Sequence, residues 1–247
     1  MFSQYFSHND FRREVTLPKD LTKELAEETG IHVGDGSLYM SKKGTDTKYV
    51  YNISGGYDDE LYFQEFVIPL IYRLYHIHPL IYKPKKGKSI ELRYQSKALA
   101  HFKKSLGLPV GKKDFIETPK FILSSPFRLD FIRGLFDTDG CLSFKKKHKN
   151  VKYYPVIDIT SKSFELINQI SKILHKQSFT TSKIISETRL RNKTLCTNNR
   201  IYLYGKKNLI KWMNLIGTSQ PKNIKKFKTW KKLGYLPEFY NKAFGGN

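Results

Sequence analysis

Hydrophobic positions along the chain follow two different periods. Apolar residues recur every three or four positions, as on one face of a helix, in segments 21–33, 61–74, 129–136 and 164–174. Elsewhere apolar and polar residues alternate with the period of two that is typical of strands. The predicted strands are 37–43, 49–53, 80–83, 89–95, 141–147, 153–159, 182–190 and 200–205. The pattern therefore predicts helices separated by pairs of strands.

This order of elements occurs twice. Residues 34–43 (GDGSLYMSKK) align with 138–147 (TDGCLSFKKK), and residues 96–107 (SKALAHFKKSLG) align with 206–217 (KKNLIKWMNLIG). Two matches in the same order at similar offsets indicate a duplicated unit. Each unit has the order α-β-β-α-β-β-α, which predicts an α+β fold with two pseudo-symmetric four-stranded antiparallel sheets. Proline-containing segments near residues 118–126 favour a boundary that gives repeats of 1–120 and 121–247.

The net charge indicates a polyanionic partner. The chain has 44 Lys and Arg against 22 Asp and Glu, a formal charge of +22. Residues 1–116 hold 18 bases and 14 acids, whereas residues 117–247 hold 26 bases and 8 acids, so most of the excess lies in the second half. No apolar stretch approaches the roughly 20 residues that a membrane span needs. The two cysteines, Cys141 and Cys196, form no CxxC pair, which argues against structural zinc and fits a reducing intracellular setting.

Two short segments carry candidate chemistry. Each has small residues four positions apart, a spacing that lets two helices approach closely. These residues are Gly30 and Gly34 in the first segment, Gly134 and Thr138 in the second. An Asp-Gly pair follows each stripe, at Asp35 and at Asp139. Facing stripes would bring two carboxylates together at helix C-termini, where negative charge is disfavoured and divalent cations relieve the cost. This pattern predicts a Mg²⁺-dependent phosphodiester hydrolase.

The sequences LAEETGIHVGDG (25–36) and DFIRGLFDTDG (130–140) resemble two copies of the motif of the LAGLIDADG homing endonucleases. The resemblance spans most of the chain and implies the monomeric two-repeat form. In that form the motif helices join the subdomains, and the two sheets make a saddle in the DNA major groove. The resemblance implies that Asp35 and Asp139 hold two or three Mg²⁺ ions, with Gly34 and Thr138 beside them. Mn²⁺ or Ca²⁺ would substitute.

The resemblance also implies supporting residues and a product. Cations at the junction of the last strand and the closing helix fall on Lys97 and Lys207, or on Lys206 with a one-residue slip. Polar residues after the second strand fall on Ser54 and on Ser161-Lys162. Both strands of a long asymmetric DNA site would be cut to leave short 3′ overhangs.

Three positions depart from the motif or stand out beside it. Val33 occupies the place that Asp137 has in the second copy, so we expect Asp137 to be a dispensable, partly exposed acid or a local hydrogen-bond acceptor. Thr138 replaces the usual Ala or Gly. We expect His32 to lie at an interface or on the surface rather than to bind metal.

A two-stranded ribbon fits the DNA major groove, so the strands and their flanks supply candidate DNA contacts. They are Lys42, Lys43, Tyr49, Tyr51, Ser54, Lys145, Lys147, Lys152, Ser161, Lys162, Lys183, Arg189, Arg191 and Arg200. The basic segment 222–232 is expected to clamp the phosphate backbone, with Phe227 and Trp230 packed on the domain.

Three functions remain open from the sequence. A site-specific endonuclease retains both aspartates, as here; an RNA maturase that assists intron splicing also keeps them; a non-cleaving regulator of the same fold would be expected to lose them. The chain ends lack splice-junction residues, which argues against an intein. We expect an intron-encoded intracellular protein, in the cytoplasm or nucleoid or in an organelle matrix. The expected partner is double-stranded DNA, with intron RNA as a second partner for a maturase, and no membrane.

Overall fold

The structure is a computed structural model that describes residues 3–43, 46–84, 87–191 and 194–238. The chain divides into two compact units, unit 1 (Met1–Thr138) and unit 2 (Asp139–Asn247). Each unit contains one four-stranded antiparallel sheet with helices on one face. The predicted α+β class and the predicted pair of sheets are therefore confirmed.

The sheet of unit 1 has the strand order β1-β2-β4-β3. Its strands are β1 (Gly36–Lys43), β2 (Asp46–Gly56), β3 (Leu80–Tyr82) and β4 (Ser89–Gln95). Gly36 pairs with Ile53, and Ile53 pairs with Leu92, so these residues mark one level of the sheet. Alternation puts Leu38, Ile53 and Leu92 in the buried core, as the period of two predicts.

The helices that follow in chain order up to the second motif are α1 (His8–Arg12), α2 (Lys23–Gly34), α3 (Glu60–Tyr62), α4 (Ile68–Tyr75), α5 (Lys97–Ser105), α6 (Lys120–Leu123) and α7 (Arg128–Asp139). Helices α2 and α5 pack on the sheet of unit 1. The segment predicted as one helix at 61–74 is helical but interrupted, with a π-helical turn at Phe63–Val67. Pro69 follows that turn, and its missing N–H cannot continue the α-helical ladder.

Helices α2 and α7 pack on each other through their small residues. A Cβ atom built on Gly30 would overlap the carbonyl oxygen of Phe131, and one built on Gly134 would overlap that of Glu27. The Arg133 guanidinium adds a two-point ion pair across this contact, with Nε and Nη2 at 2.7 and 2.6 Å from the Glu27 carboxylate oxygens. Gly30 and Gly134 thus act as the sequence predicts, by letting the two helix backbones touch. The same role for Gly34 and Thr138 remains a prediction.

Replacing Gly134 by Ala is expected to lower the free energy of unfolding by about 3 kcal/mol or more, because the added methyl group meets backbone that cannot yield. Denaturant unfolding of the intact chain measures this. The sign is diagnostic, since Gly→Ala inside a helix without such a contact stabilises by up to about 1 kcal/mol. A variant as stable as the wild type would contradict the close packing.

Unit 2 repeats the arrangement with the strand order β5-β6-β8-β7. Its elements are β5 (Gly140–Lys145), β6 (Tyr154–Ser161), α8 (Phe164–Lys176), β7 (Ser182–Arg191), β8 (Thr194–Tyr204), α9 (Gly205–Leu215) and α10 (Pro221–Leu233). β8 begins six residues before the predicted 200, because it continues its ladder with β7 beyond a bulge between Ile184 and Glu187.

The basic C-terminal segment forms helix α10, and its aromatic side packs inward. Trp230 is buried, lies 5.7 Å from the Phe144 ring and donates from Nε1 to the Tyr153 carbonyl at 2.8 Å. The expected packing of Trp230 is therefore confirmed. Among the described residues, no helix is long and apolar enough to cross a membrane.

Candidate active site and nucleic-acid interface

Asp35 follows the last residue of α2 and leads directly into β1. Its N–H donates to the Ile31 carbonyl at 3.0 Å, and its own carbonyl accepts from the Ser54 N–H at 3.2 Å. The half-buried carboxyl-bearing residue therefore sits where the helix C-terminus meets the first two strands. Ser54 lies beside it, inside β2, which continues to Gly56, rather than after the strand as the resemblance implies.

Lys113 brings a positive charge to this helix end. Its Nζ donates to the carbonyl of His32 at 3.2 Å, to that of Val33 at 3.1 Å and to that of Gly34. A cation here offsets the negative end of the helix dipole, which makes the neighbouring Asp35 carboxylate less costly. The surrounding loop is fixed on β1 because the Gly111 N–H donates to the Leu38 carbonyl at 2.8 Å.

A buried polar cluster lies under α2. Glu28 accepts hydrogen bonds from the hydroxyls of Tyr51 at 2.8 Å and Tyr75 at 3.0 Å and pairs with the ammonium of Lys103. Glu28 and Lys103 have no exposed side-chain surface. Burial, followed by the charge of Glu28, raises the pKa values of Tyr51 and Tyr75, and burial lowers the pKa of Lys103. The cluster ties the motif helix to the sheet and to α5.

This cluster corrects two expectations about DNA contacts. Tyr51 is 1% exposed, so the prediction that it touches DNA is wrong. Tyr49 shares its face of β2 and packs against the core, with its ring 5.4 Å from that of His101. Both tyrosines have the same parity as Ile53, which places them on the helix side of the sheet.

His32 and Asp137 are buried as well. The His32 ring stacks on Tyr51 at 4.9 Å, and neither ring nitrogen has a hydrogen-bond partner among the described residues. Burial, then the charges of Lys103 and Lys113, hold its pKa well below the usual range, so the ring is neutral. Asp137 is 4% exposed, so the expectation of a partly exposed acid is wrong. Its charge, after those of Glu27 and Asp130, helps to raise the pKa of Arg133, so the two groups lie near each other.

Asp139 ends α7 and is exposed. Since Gly140 pairs with Ile159, Thr160 takes the place beside the motif acid that Ser54 takes in unit 1. The Thr160 hydroxyl accepts from Arg200 Nε at 2.8 Å, so unit 2 has a guanidinium where unit 1 has Glu91. Ser161 lies one residue further and serves the turn instead, because its hydroxyl accepts from the Ser163 N–H at 3.1 Å. The neighbouring Lys162 side chain is exposed.

Helix α10 also places cations near the start of β5. Lys226 donates to the Leu142 carbonyl at 3.1 Å. Burial raises the pKa of the Cys141 thiol, while Lys226 and Lys222 oppose that rise, so both ammonium groups lie close to this strand. Lys113 is not identified by sequence pattern, because it comes from a segment after the closing helix that has no local signature. Lys226 lies in the basic segment 222–232 that the sequence singles out, although its contact with β5 is not predicted.

Lys97 and Lys207 lie away from the motif acids. Lys97 begins α5 just after Gln95, whose neighbours across the sheet are Val50 and then Tyr39. Tyr39 is four strand residues from Asp35, a separation of roughly 13 Å.

Lys207 is exposed and lies soon after Tyr204. Tyr204 pairs with Val156, which pairs with Ser143. Ser143 is four strand residues from Asp139, again a separation of roughly 13 Å.

Lys97 and Lys207 both lie where the last strand of a unit meets its closing helix, as the resemblance implies, and their catalytic role remains a prediction. Within each unit, Lys113 and Arg200 lie nearer the motif end of the sheet.

The face of each sheet away from the helices is the candidate nucleic-acid interface. In unit 2, Lys145 is exposed at the end of β5, and the Lys147 Nζ lies 4.3 Å from the centre of the Tyr154 ring. Lys183 points to the other side, where its Nζ donates to Asn168 of α8 at 3.3 Å, so its predicted DNA contact is wrong.

The remaining predicted DNA contacts differ in where the structure places them. Arg189 pairs with Cys196, and Arg191 pairs with Thr194. These register positions lie on the same face of the sheet as Arg200. The side chains of Arg189 and Arg191 lie outside the described part of the chain. The Lys43 side chain also lies outside it. Lys42 is exposed at the end of β1, and the Lys152 carbonyl accepts from the Leu236 N–H at 2.9 Å.

Residues 126–217 match the family model of the LAGLIDADG-like domain. The structure is similar to that of I-DmoI in complex with DNA and Ca, with a TM-score of 0.59, 19% identity and coverage of 84% of this chain and 97% of that one. It is also similar to I-GzeII in complex with its DNA target, with a TM-score of 0.57, 11% identity and coverage of 91% and 96%. The chain has the two-repeat LAGLIDADG fold. The resemblance carried by its two motifs is thereby confirmed.

A curated relative of this LAGLIDADG chain is the Replication factor C small subunit of Methanocaldococcus jannaschii. The two are 26% identical over 211 residues, which cover 84% of this chain and 10% of that protein. The chain thus spans about a tenth of the length of the relative it matches. Other structures of I-DmoI were determined with target DNA in the presence of Mn or Mg.

The LAGLIDADG motif ends fit a hard divalent cation held jointly with substrate. Within the described ranges, no group of three or more His, Cys, Asp and Glu side chains forms a ready metal site. Mg²⁺ usually takes one or two carboxylates, several waters and substrate phosphate oxygens, so a single carboxylate such as that of Asp35 or Asp139 is a suitable protein ligand. The Gly34 carbonyl accepts a hydrogen bond from Lys113. The assignment of metal ions to Asp35 and Asp139 remains a prediction.

Proposed function

We propose that this protein is a site-specific double-strand DNA endonuclease of the homing type. It hydrolyses one phosphodiester bond in each strand with divalent metal ions bound by Asp35 and Asp139 and leaves short 3′ overhangs. The observation that carries the proposal is the retention of an aspartate at the end of both motif helices, each followed at once by the first strand of a sheet. A regulator that only binds DNA would not need these two costly carboxylates.

The carboxylates and the cationic side chains of the protein have different roles in this reaction. The two carboxylates would hold the metal ions, which would lower the pKa of a bound water and offset charge on the leaving oxygen. Lys113 in unit 1 and Arg200 in unit 2 place positive charge near the motif end of each sheet. Fixed cations there stabilise the extra charge that the phosphate acquires during displacement.

Charge and shape support the choice of duplex DNA as substrate. The excess of 22 positive charges favours a polyanion, and each sheet presents an open face of the kind that fits a major groove. The I-DmoI and I-GzeII structures contain DNA. The proposal includes action as a monomer, an intron-encoded origin and an intracellular location.

The test is selection from a randomised DNA library followed by cleavage assays. The full chain should select one long asymmetric site and cut both of its strands in Mg²⁺ or Mn²⁺, and EDTA should abolish cutting. Tight and specific binding without cutting in either metal would overturn the endonuclease and leave the regulator. Stimulated splicing of a precursor RNA in place of DNA cleavage would indicate the maturase.

A further inference from the structure

The segment 7–16, which precedes the first motif helix, is bound to the core of unit 1. Asp10 of helix α1 is fully buried, and its carboxylate accepts from the Ala98 N–H in the first turn of α5 at 3.3 Å. A few residues later the Thr16 N–H donates to the Tyr75 carbonyl at 3.1 Å. These bonds fix α1 beside the junction of β4 and α5.

Helix α1 and the end of the sheet form a pocket of about 530 Å³, a volume typical of ligand sites. Its lining is rich in cationic and amide side chains, contributed by α1, β2, β4 and α5. They are Asn9, Arg12, Arg13, Lys48, Gln95 and Lys97. Among the described residues, no Asp or Glu side chain lines this pocket. The pocket is therefore suited to an anion.

The positive charge in the pocket has little counter-charge from the protein. Within the described ranges, Arg12, Lys48 and Lys97 take part in no ion pair. Arg12 and Lys48 are exposed to solvent, and Lys97 is half-buried. Like charges that line one pocket repel one another, and a bound anion relieves that repulsion.

Arg13 is held in a fixed orientation at the same pocket. Its Nε donates to the Asn9 carbonyl at 3.1 Å, and its Nη2 donates to the Gln95 carbonyl at 2.5 Å and lies 3.5 Å from the Asp10 carboxylate. These bonds occupy Nε and Nη2 and leave Nη1 for a ligand. A planar guanidinium that is already oriented suits the oxygens of a phosphate group.

The pocket lies at the end of the candidate nucleic-acid face, far from the motif acid. Lys48 has the opposite parity to the buried Tyr51, so it belongs to the face of the sheet away from the helices. Lys48 pairs with Ser41, which is six residues from Asp35, a separation of roughly 20 Å. Because duplex DNA rises about 3.4 Å per base pair, this distance corresponds to about six base pairs.

We propose that this pocket binds a backbone phosphate of duplex DNA at the outer end of the unit 1 half-site, about six base pairs from the cleavage position. Arg12, Lys48 and Lys97 supply the charge, and Arg13 supplies an oriented donor. A phosphate contact carries no base identity but fixes the register of the duplex on the protein. The inference rests on the proposed binding of duplex DNA and not on cleavage.

The salt dependence of binding to the selected duplex in metal-free buffer tests the proposal. Arg12→Gln with Lys48→Gln should reduce the slope of log affinity against log salt by about 1, because one phosphate is no longer neutralised. Between about 50 and 200 mM salt, the wild type should then lose roughly three- to fourfold more affinity than this double variant.

Two further double variants are the matched controls. Lys19→Gln with Lys104→Gln removes the same charge from exposed positions outside the pocket and should keep the wild-type slope. Arg12→Lys with Lys48→Arg keeps both charges in the pocket and should keep it as well.

Ethylation of single backbone phosphates locates the contact. One ethylated phosphate about six base pairs from the cleavage position, or from the centre of the site if no cut occurs, should weaken binding of the wild type and not of Arg12→Gln/Lys48→Gln. Photocrosslinking from a substituted Ser41 assigns the unit 1 half-site.

An unchanged slope in Arg12→Gln/Lys48→Gln, or an equal fall in the Lys19→Gln/Lys104→Gln control, would overturn the phosphate pocket. So would ethylation interference that persists in Arg12→Gln/Lys48→Gln. Loss of precursor-RNA binding in that variant with duplex binding intact would also overturn it, because that result assigns the pocket to RNA. A wild-type protein that binds the duplex through this phosphate without cutting would refute the endonuclease alone.

Discussion

Asp35→Asn and Asp139→Asn are each expected to slow DNA cleavage by roughly 10²–10³-fold or more, with binding to the selected duplex retained in metal-free buffer. Each substitution removes a carboxylate that we assign to the metal ions and keeps the size of the side chain. Single-turnover rates at saturating protein measure the chemical step without a contribution from affinity. If both variants cut at the wild-type rate, the metal assignment is wrong.

The same substitutions should not lower stability. A carboxylate at a helix C-terminus is disfavoured by about 0.3–1 kcal/mol, so its neutralisation leaves the unfolding midpoint unchanged or raised. Loss of activity without loss of stability separates a functional acid from a structural one. Asp20→Asn is the matched control, because Asp20 is an exposed acid just before α2 and should affect neither property.

The features that the sequence predicted well are those with a local signal. The paired strands are predicted by the alternation of apolar and polar residues. The contact of Gly30 and Gly134 is predicted by small residues four positions apart, a spacing that lets two helices approach closely. The positions of Asp35 and Asp139 are predictable because an Asp-Gly pair that ends a helix places the acid at the helix C-terminus.

The features that were missed depend on distant segments. Lys113 reaches the end of α2 from a loop about eighty residues later, and nothing in its own surroundings indicates that contact. Lys183 has the positive charge expected of a DNA contact, but its side chain lies on the helix side of β7. Tyr51 differs from these residues, because its burial is predictable from the sequence: it has the same parity as Ile53 and therefore lies on the helix side of β2.

The largest stability effect is expected from Lys103→Met, which should lower the free energy of unfolding by about 3–5 kcal/mol. The change leaves the fully buried Glu28 carboxylate without its cation, in a core where the remaining partners are the hydroxyls of Tyr51 and Tyr75. Denaturant unfolding measures the loss. Lys104→Met, on the exposed side of the same helix, is the control and should stay within about 0.5 kcal/mol of the wild type.

The second repeat carries no charge at the positions that match this cluster. At the positions that match Glu28, Tyr51 and Lys103, the second repeat has Ile132, Ile157 and Met213. A buried ion pair replaced as a whole by apolar groups is often neutral or stabilising, because the desolvation cost disappears with the attraction. We therefore expect Glu28→Ile, Lys103→Met, Tyr51→Phe and Tyr75→Phe in combination to recover most of the stability that Lys103→Met loses.

That recovery distinguishes two accounts of the cluster. If the combined variant is as stable as the wild type, the ion pair contributes little net stability, and its value lies in fixing how α2 sits on β2 and α5. Deletion of Lys103 then costs stability only because Glu28 remains. If the combined variant is as unstable as Lys103→Met alone, the network itself stabilises unit 1, and the apolar solution of unit 2 does not transfer because the surrounding side chains have been selected around the charges.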